Sequence, residues 1–224
     1  MIRTLASSLH IAVFVSAIAS IYSHATQAYA DRQIGIEGDV MPPSRRAHLV
    51  EAAARLFEQQ GYHATGIDHI LEVAGVAKMT LYNHFKSKEE LIIATLEWQN
   101  TQFMARLKAH VDDGHTPQDR LLGIFSFLER WMGSTEFRGC PFVTATQEYA
   151  DRDHPIHIAA ATHKRSVFTL IQTLANDVGH SDSRLLAQQL LLLYEGALSV
   201  GHALYAPIAA RQARRAAETL ISAS

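Results

Sequence analysis

The chain has 224 residues, a formal net charge of −2 and 48% hydrophobic residues, enough to bury a sizeable core in one large domain or two small ones. Its near-neutral balance argues neither for nor against nucleic acid as a partner, so local charge has to decide. A single cysteine, Cys140, excludes an intramolecular disulfide framework, and past residue 40 no apolar run is long enough to span a bilayer.

Residues 1–40 stand apart. Arg3 supplies a positive start, Leu9 to Ile21 (LHIAVFVSAIASI) is short and mostly apolar, and Ala28-Tyr29-Ala30 fits a small-x-small cleavage pattern. Together these resemble a secretory signal. The preferred alternative is a spurious or unfolded extension ahead of a true start at Met41, with DRQIGIEGDV (31–40) as linker. That preference rests on the rest of the chain, which reads as a DNA binder acting in the cytoplasm.

From Met41 onward the pattern is helical. Pro42-Pro43-Ser44 punctuates a start with Ser44 as N-cap. Leu49, Ala52, Ala53, Leu56 and Phe57 then fall on one helical face, which Gly61 closes. Thr65 is expected to cap a second helix, with Asp68 in the place of a capping-box acid and Ile67, Ile70, Leu71 and Ala74 as its inward stripe. Gly75 is followed by a short third helix from about Ala77 to Phe85. A short helix, a tight glycine turn and another short helix make a helix-turn-helix. Lys78, Lys86 and Lys88 cluster there, with no acid between Ala74 and Ser87.

The third helix of such a unit enters the major groove N-terminus first. With Val76, Leu81 and Phe85 turned inward, Lys78 and Asn83 are placed to read base edges and Met79 to meet a thymine methyl. Thr80, Tyr82, His84 and Lys88 carry donors suited to phosphate oxygens, and Thr65 joins the same DNA-contacting set. Arg45 and Arg46, ahead of the first helix, are placed to reach the adjacent minor groove.

The run G-Y-x-x-T-x-I-x-x-I-x-x-x-A-G-V-x-x-x-T-L-Y-x-H-F-x-S-K-E-E-L, from Gly61 to Leu91, closely resembles the DNA-binding region of the tetracycline-repressor (TetR) family of transcriptional regulators. The resemblance covers about 50 residues, Arg45 to Leu96. Three positions depart from it: Gly66 stands where a second hydroxyl is usual, Leu71 where alanine is common, and Met79 where glycine is frequent. The resemblance implies an all-α protein of about nine helices. Its parts are a helix-turn-helix domain over 41–88 and a helical ligand-binding and dimerisation domain over 89–224.

Apolar spacing divides that second domain into a linking helix to about His110, a helix ending near Gly133, and a short one after Pro141. Further helices follow from about Pro155 to Val178, from a cap at Ser181 through Tyr205, and from about Ile208 to Ser222. Leu185, Leu186, Leu190, Leu192, Leu193 and Leu198 supply more apolar surface than one face needs, which points to a dimer interface. A two-fold pair of recognition helices reads a palindrome.

The family's inner domain is a small-molecule pocket. Its candidate walls here are Trp98, Phe125, Trp131, Phe142, Phe168 and Tyr194, with Glu148, His163, Glu195 and His202 as polar anchors and an apolar or aromatic effector as the default. No cofactor is expected. His154-x-x-His157 with His163 is the densest histidine cluster, yet Pro155 interrupts it and a metal site is not expected. The leading function is a DNA-binding repressor released by an effector. Two alternatives are a regulator of the same fold governed by a protein partner or by redox change at Cys140, and a secreted helical protein if the export-like start is real. No catalytic constellation or phosphate-cradling glycine loop stands out, so the chain is not expected to be an enzyme.

Overall fold

A computed structural model describes residues 44–135 and 137–222, all within one unit of the chain, Pro43–Ser224. The export-like or spurious extension, 1–40, lies outside the described residues, as does Met41. The described residues form nine helices and no strand: α1 (Arg45–Gln60), α2 (Ile67–Ala74), α3 (Lys78–His84), α4 (Lys88–Asp112), α5 (Pro117–Met132), α6 (Pro141–Glu148), α7 (Pro155–Val178), α8 (Ser183–Leu204) and α9 (Ile208–Ser222).

α1 to α3 form a three-helix head. The Ser44 hydroxyl accepts the Ala47 N–H and so caps α1, whose buried face is Leu49, Val50, Ala52, Ala53, Leu56 and Phe57. Ile70 and Leu81 meet that face fully buried, and Phe85 closes it from below. Gly75 sits at φ +62, the left-handed conformation that a tight helix-to-helix turn requires. The ring of His48 bonds the carbonyl of Ala74 at 3.0 Å, tying α1 to the end of α2.

Thr65 corrects the expectation. α2 is capped by Gly66 with no side-chain hydrogen bond, while Thr65 is fully buried. Its hydroxyl donates to the carbonyl of Gly61 at 2.6 Å and faces that of Leu56 at 3.4 Å. It braces the α1–α2 loop from inside and has no surface to offer to DNA.

α4 is the spine, about 37 Å long at 1.5 Å per residue. The Ser87 hydroxyl caps it through the Glu90 N–H, and the Glu90 carboxylate accepts the Lys86 N–H at 2.7 Å. Its buried face runs from Leu91 and Ile92 through Phe103 and Leu107 to Val111 and packs against α1, α5 and α7. A reciprocal Thr116–Asp119 capping box with Pro117 in the first turn starts α5. α6 lies against α7, and α8 and α9 cover α5 and α7. α8 is capped by Asp182, whose carboxylate accepts the Leu185 N–H at 2.9 Å, rather than by Ser181.

Candidate nucleic-acid interface and inner cavity

α3 buries Leu81 and exposes most of its other side chains. Met79 is 70% exposed and Tyr82 46%. Lys78, Asn83 and His84 are also exposed, and Thr80 is half-buried. This outward face carries a cation, an amide, a phenol and a flexible thioether, which supply donors, acceptors and an apolar contact at a groove. Lys78 is held at the leading end by an ion pair with Asp68 of α2, 3.3 Å long and exposed on both sides. Arg45 and Arg46 are exposed at the start of α1. The Arg46 guanidinium lies 5.0 Å from the centre of the Phe85 ring, a cation–π contact that draws it toward α3. Lys88 is half-buried and donates to the His63 carbonyl at 3.2 Å. Desolvation lowers its pKa, and nearby Glu148 opposes that effect. Lys88 therefore braces the α1–α2 loop besides whatever else its ammonium reaches.

The same loop is gripped from the other side by Glu148, the last residue of α6. Its carboxylate accepts the Tyr62 N–H at 2.9 Å and the His63 N–H at 2.6 Å, and lies 3.0 Å from His63 Nδ1. The Tyr62 hydroxyl donates to the Pro141 carbonyl at the opposite end of α6, 3.1 Å away. Burial pushes the Tyr62 pKa up, well out of the physiological range, so this hydroxyl stays protonated and keeps donating. Gly61 is matched to the contact twice over. Its φ is +81, and a Cβ there would sit 2.6 Å from Glu148 Oε1. Glu148, expected as a pocket anchor, is thus committed to the head.

A cavity of about 220 Å³ opens between α1, α4, α5, α6, α7 and α8. Among the expected walls and anchors, Trp98, Trp131, Phe142, His163 and Tyr194 line it. Phe125 is buried in the core and Phe168 packs half-buried against it. Glu195 is held by Lys164 at 2.7 Å, and His202 packs its ring against Phe137 and over Gly139. Gln99, Gln102, Phe103 and Arg106 also line the cavity and were missed. They are spaced at i, i+3, i+4 and i+7 on α4, a helical-face signal that a choice of walls and anchors by residue type passes over.

His163 is buried, stacked on Phe142 at 3.7 Å and bonded through Nδ1 to Asn100 Oδ1 at 2.8 Å. Burial, with Lys164 beside it, lowers its pKa to about 3, so the ring is neutral. The other members of the histidine cluster are also in use. His154 caps α7 by accepting the Ile156 N–H, and His157 Nδ1 bonds the Tyr149 carbonyl. Among the described residues, no three His, Cys, Asp or Glu side chains converge to hold a metal, and no helix is long and apolar enough to cross a membrane.

The surface leucines differ from the expected set. Leu186, Leu190 and Leu198 are spent on the protein's own core, and Leu193 is half-buried against it. Leu185 is 48% exposed. Leu192, Val200 and Leu204 continue its stripe along α8, and Tyr205 and Ile208 carry it to α9. Leu192, Val200, Leu204 and Ile208, with Leu193, Gly196 and Ala197, form an almost wholly apolar groove between the two last helices.

The model for bacterial regulatory proteins of the tetR family matches residues 49–95. A TetR transcriptional regulator of Streptomyces avermitilis superposes with a TM-score of 0.72 at 32% identity, over 80% of this chain and 97% of that one. The chain belongs to the TetR family. A TetR-family regulator of Streptomyces coelicolor is similar at a TM-score of 0.75 and 29% identity, over 80% of this chain and 94% of its own. The HTH-type transcriptional regulator YjdC of Escherichia coli is 26% identical over 156 residues, 69% of this chain and 82% of YjdC. This TetR-family protein is therefore a DNA-binding transcriptional regulator and not an enzyme.

Two outcomes follow for this TetR-family regulator. Lys78→Ala should flatten sequence preference in a selection from random DNA, whereas Tyr82→Phe should weaken binding about equally on strong and weak sites, by roughly two- to tenfold for one lost hydrogen bond. The reverse pattern would reassign both side chains. The lowered His163 pKa means the unfolded chain takes up a proton that the folded chain refuses, so stability is full above about pH 6.5 and falls as pH drops toward 3. Thermal melts across that window should show a shallower acid limb for His163→Gln than for the unaltered protein.

Proposed function

We propose that this protein is a homodimeric repressor acting in the cytoplasm, with a helix-turn-helix domain at 41–88 and an effector-binding, dimer-forming domain at 89–224. It binds a palindromic operator and is released when a small molecule enters the inner cavity. The observation that carries the reading is the double role of α6. Cys140, Pro141 and Phe142, around its start, line the cavity, and Glu148, at its end, holds the loop that positions α2 and α3.

An occupant that displaces the start of α6 works against the clamp at its far end. A tenfold release needs a differential affinity of about 1.4 kcal/mol between the two head positions. Two-fold pairing through the α8–α9 groove gives the apolar stripe a partner surface and doubles the recognition helix. The exposed face of α3 supports base contacts by Lys78, Met79 and Asn83. It also supports phosphate contacts by Thr80, Tyr82, His84 and Lys88, with Arg45 and Arg46 alongside.

Selection of bound fragments from random DNA should yield a palindrome with half-sites about one helical turn apart. Leu192→Glu should give a monomer by light scattering that binds one half-site weakly. A non-palindromic consensus, or a Leu192→Glu dimer of full affinity, would count against the two-fold arrangement.

A further inference from the structure

The cavity mixes aromatic walls with polar side chains. Tyr194 is fully buried, and its hydroxyl has no hydrogen-bond partner. Burial pushes its pKa up, so it stays a neutral phenol with one donor and open lone pairs. Gln99 is 8% exposed. It donates its amide to Glu58 Oε1 at 2.7 Å, and its own carbonyl oxygen is unpartnered. Both residues line the cavity. An unpaired buried polar atom costs roughly 1–3 kcal/mol, so each of these side chains gains from a polar guest that reaches it.

The charged side chains of the lining are Arg55, Arg106, Arg138 and Glu58. Arg55 is taken by Glu51, and Arg138 donates to backbone carbonyls. The exposed Arg106 is engaged by no described residue. The inner part of the cavity thus asks for a group that both donates and accepts, and the lining carries an excess of positive charge.

We propose, building on the effector reading above, that the ligand is a small hydroxylated aromatic acid. Its ring lies among Trp98, Phe103, Trp131 and Phe142. Its hydroxyl pairs with Tyr194 and Gln99, and its carboxylate faces Arg106. A volume near 220 Å³ admits one or two rings and excludes long-chain ligands.

Titration calorimetry of the full chain with 4-hydroxybenzoate, benzoate, phenol and tyramine tests this. 4-Hydroxybenzoate should bind roughly tenfold or more tightly than benzoate or phenol, and tyramine should not bind. Tyr194→Phe should keep or raise the melting temperature, because an orphan hydroxyl is removed, while erasing the preference for the hydroxylated probe. Arg106→Gln should erase the preference for the acid. Equal binding of benzoate and 4-hydroxybenzoate, a hydroxyl preference that survives Tyr194→Phe, or failure of all four probes to bind would overturn the assignment. Operator release is measured separately by DNA anisotropy. Selective binding without release upholds the ligand class and defeats the effector reading, whereas release by an unhydroxylated aromatic defeats the ligand class alone.

Discussion

A single carboxylate joins the two halves of this protein's logic. Glu148 takes two backbone N–H groups from the loop between α1 and α2. Those donors have no helical partner, and a charged acceptor stabilises them by about 1.5–3 kcal/mol each. Gly61 provides the space and the left-handed backbone that let the loop approach, Thr65 ties the loop to the end of α1, and Lys88 holds the His63 carbonyl from the other side. The loop sits directly ahead of α2, so its position fixes where α3 points. The three-helix head is therefore braced by a residue of α6, outside the head itself.

That arrangement shows how, in the proposed release mechanism, a short helix would suffice to carry signal. α6 is eight residues long and stiff over that length, and Tyr62 touches it at both ends, through its N–H at Glu148 and its hydroxyl at Pro141. A rigid piece held at both ends moves as a unit or not at all, which is how small shifts at a cavity become discrete changes elsewhere. Release of that kind would depend on the difference in affinity between the two arrangements and not on how tightly the cavity is filled.

Much of this was legible before any coordinates. The i, i+3, i+4 spacing of α1, the glycine turn at Gly75 and the bounds of α7 and α9 follow from local rules, because caps, prolines and apolar periodicity act within a few residues. The exposed face of α3 was legible for the same reason: once Leu81 and Phe85 go inward, the others have nowhere else to go. What the sequence hid is long-range pairing. Glu148 reads as a pocket anchor because nothing in its neighbourhood names Tyr62, 86 residues away. Thr65 reads as a cap because a hydroxyl before a helix usually is one, yet the backward bond to Gly61 won. The leucines of α8 divide between core and surface by which sides α5, α7 and α9 cover, and periodicity alone gives no sign of that.

Operator affinity of Glu148→Gln, measured at two salt concentrations, is the most direct check on the coupled design. The amide keeps one acceptor and loses the other, so the account gives roughly tenfold weaker binding with an unchanged dependence on salt, since no phosphate contact is removed. Wild-type affinity in that variant would contradict the account, as would a weakened salt dependence that placed Glu148's influence in the charge of the interface and not in the pose of the head.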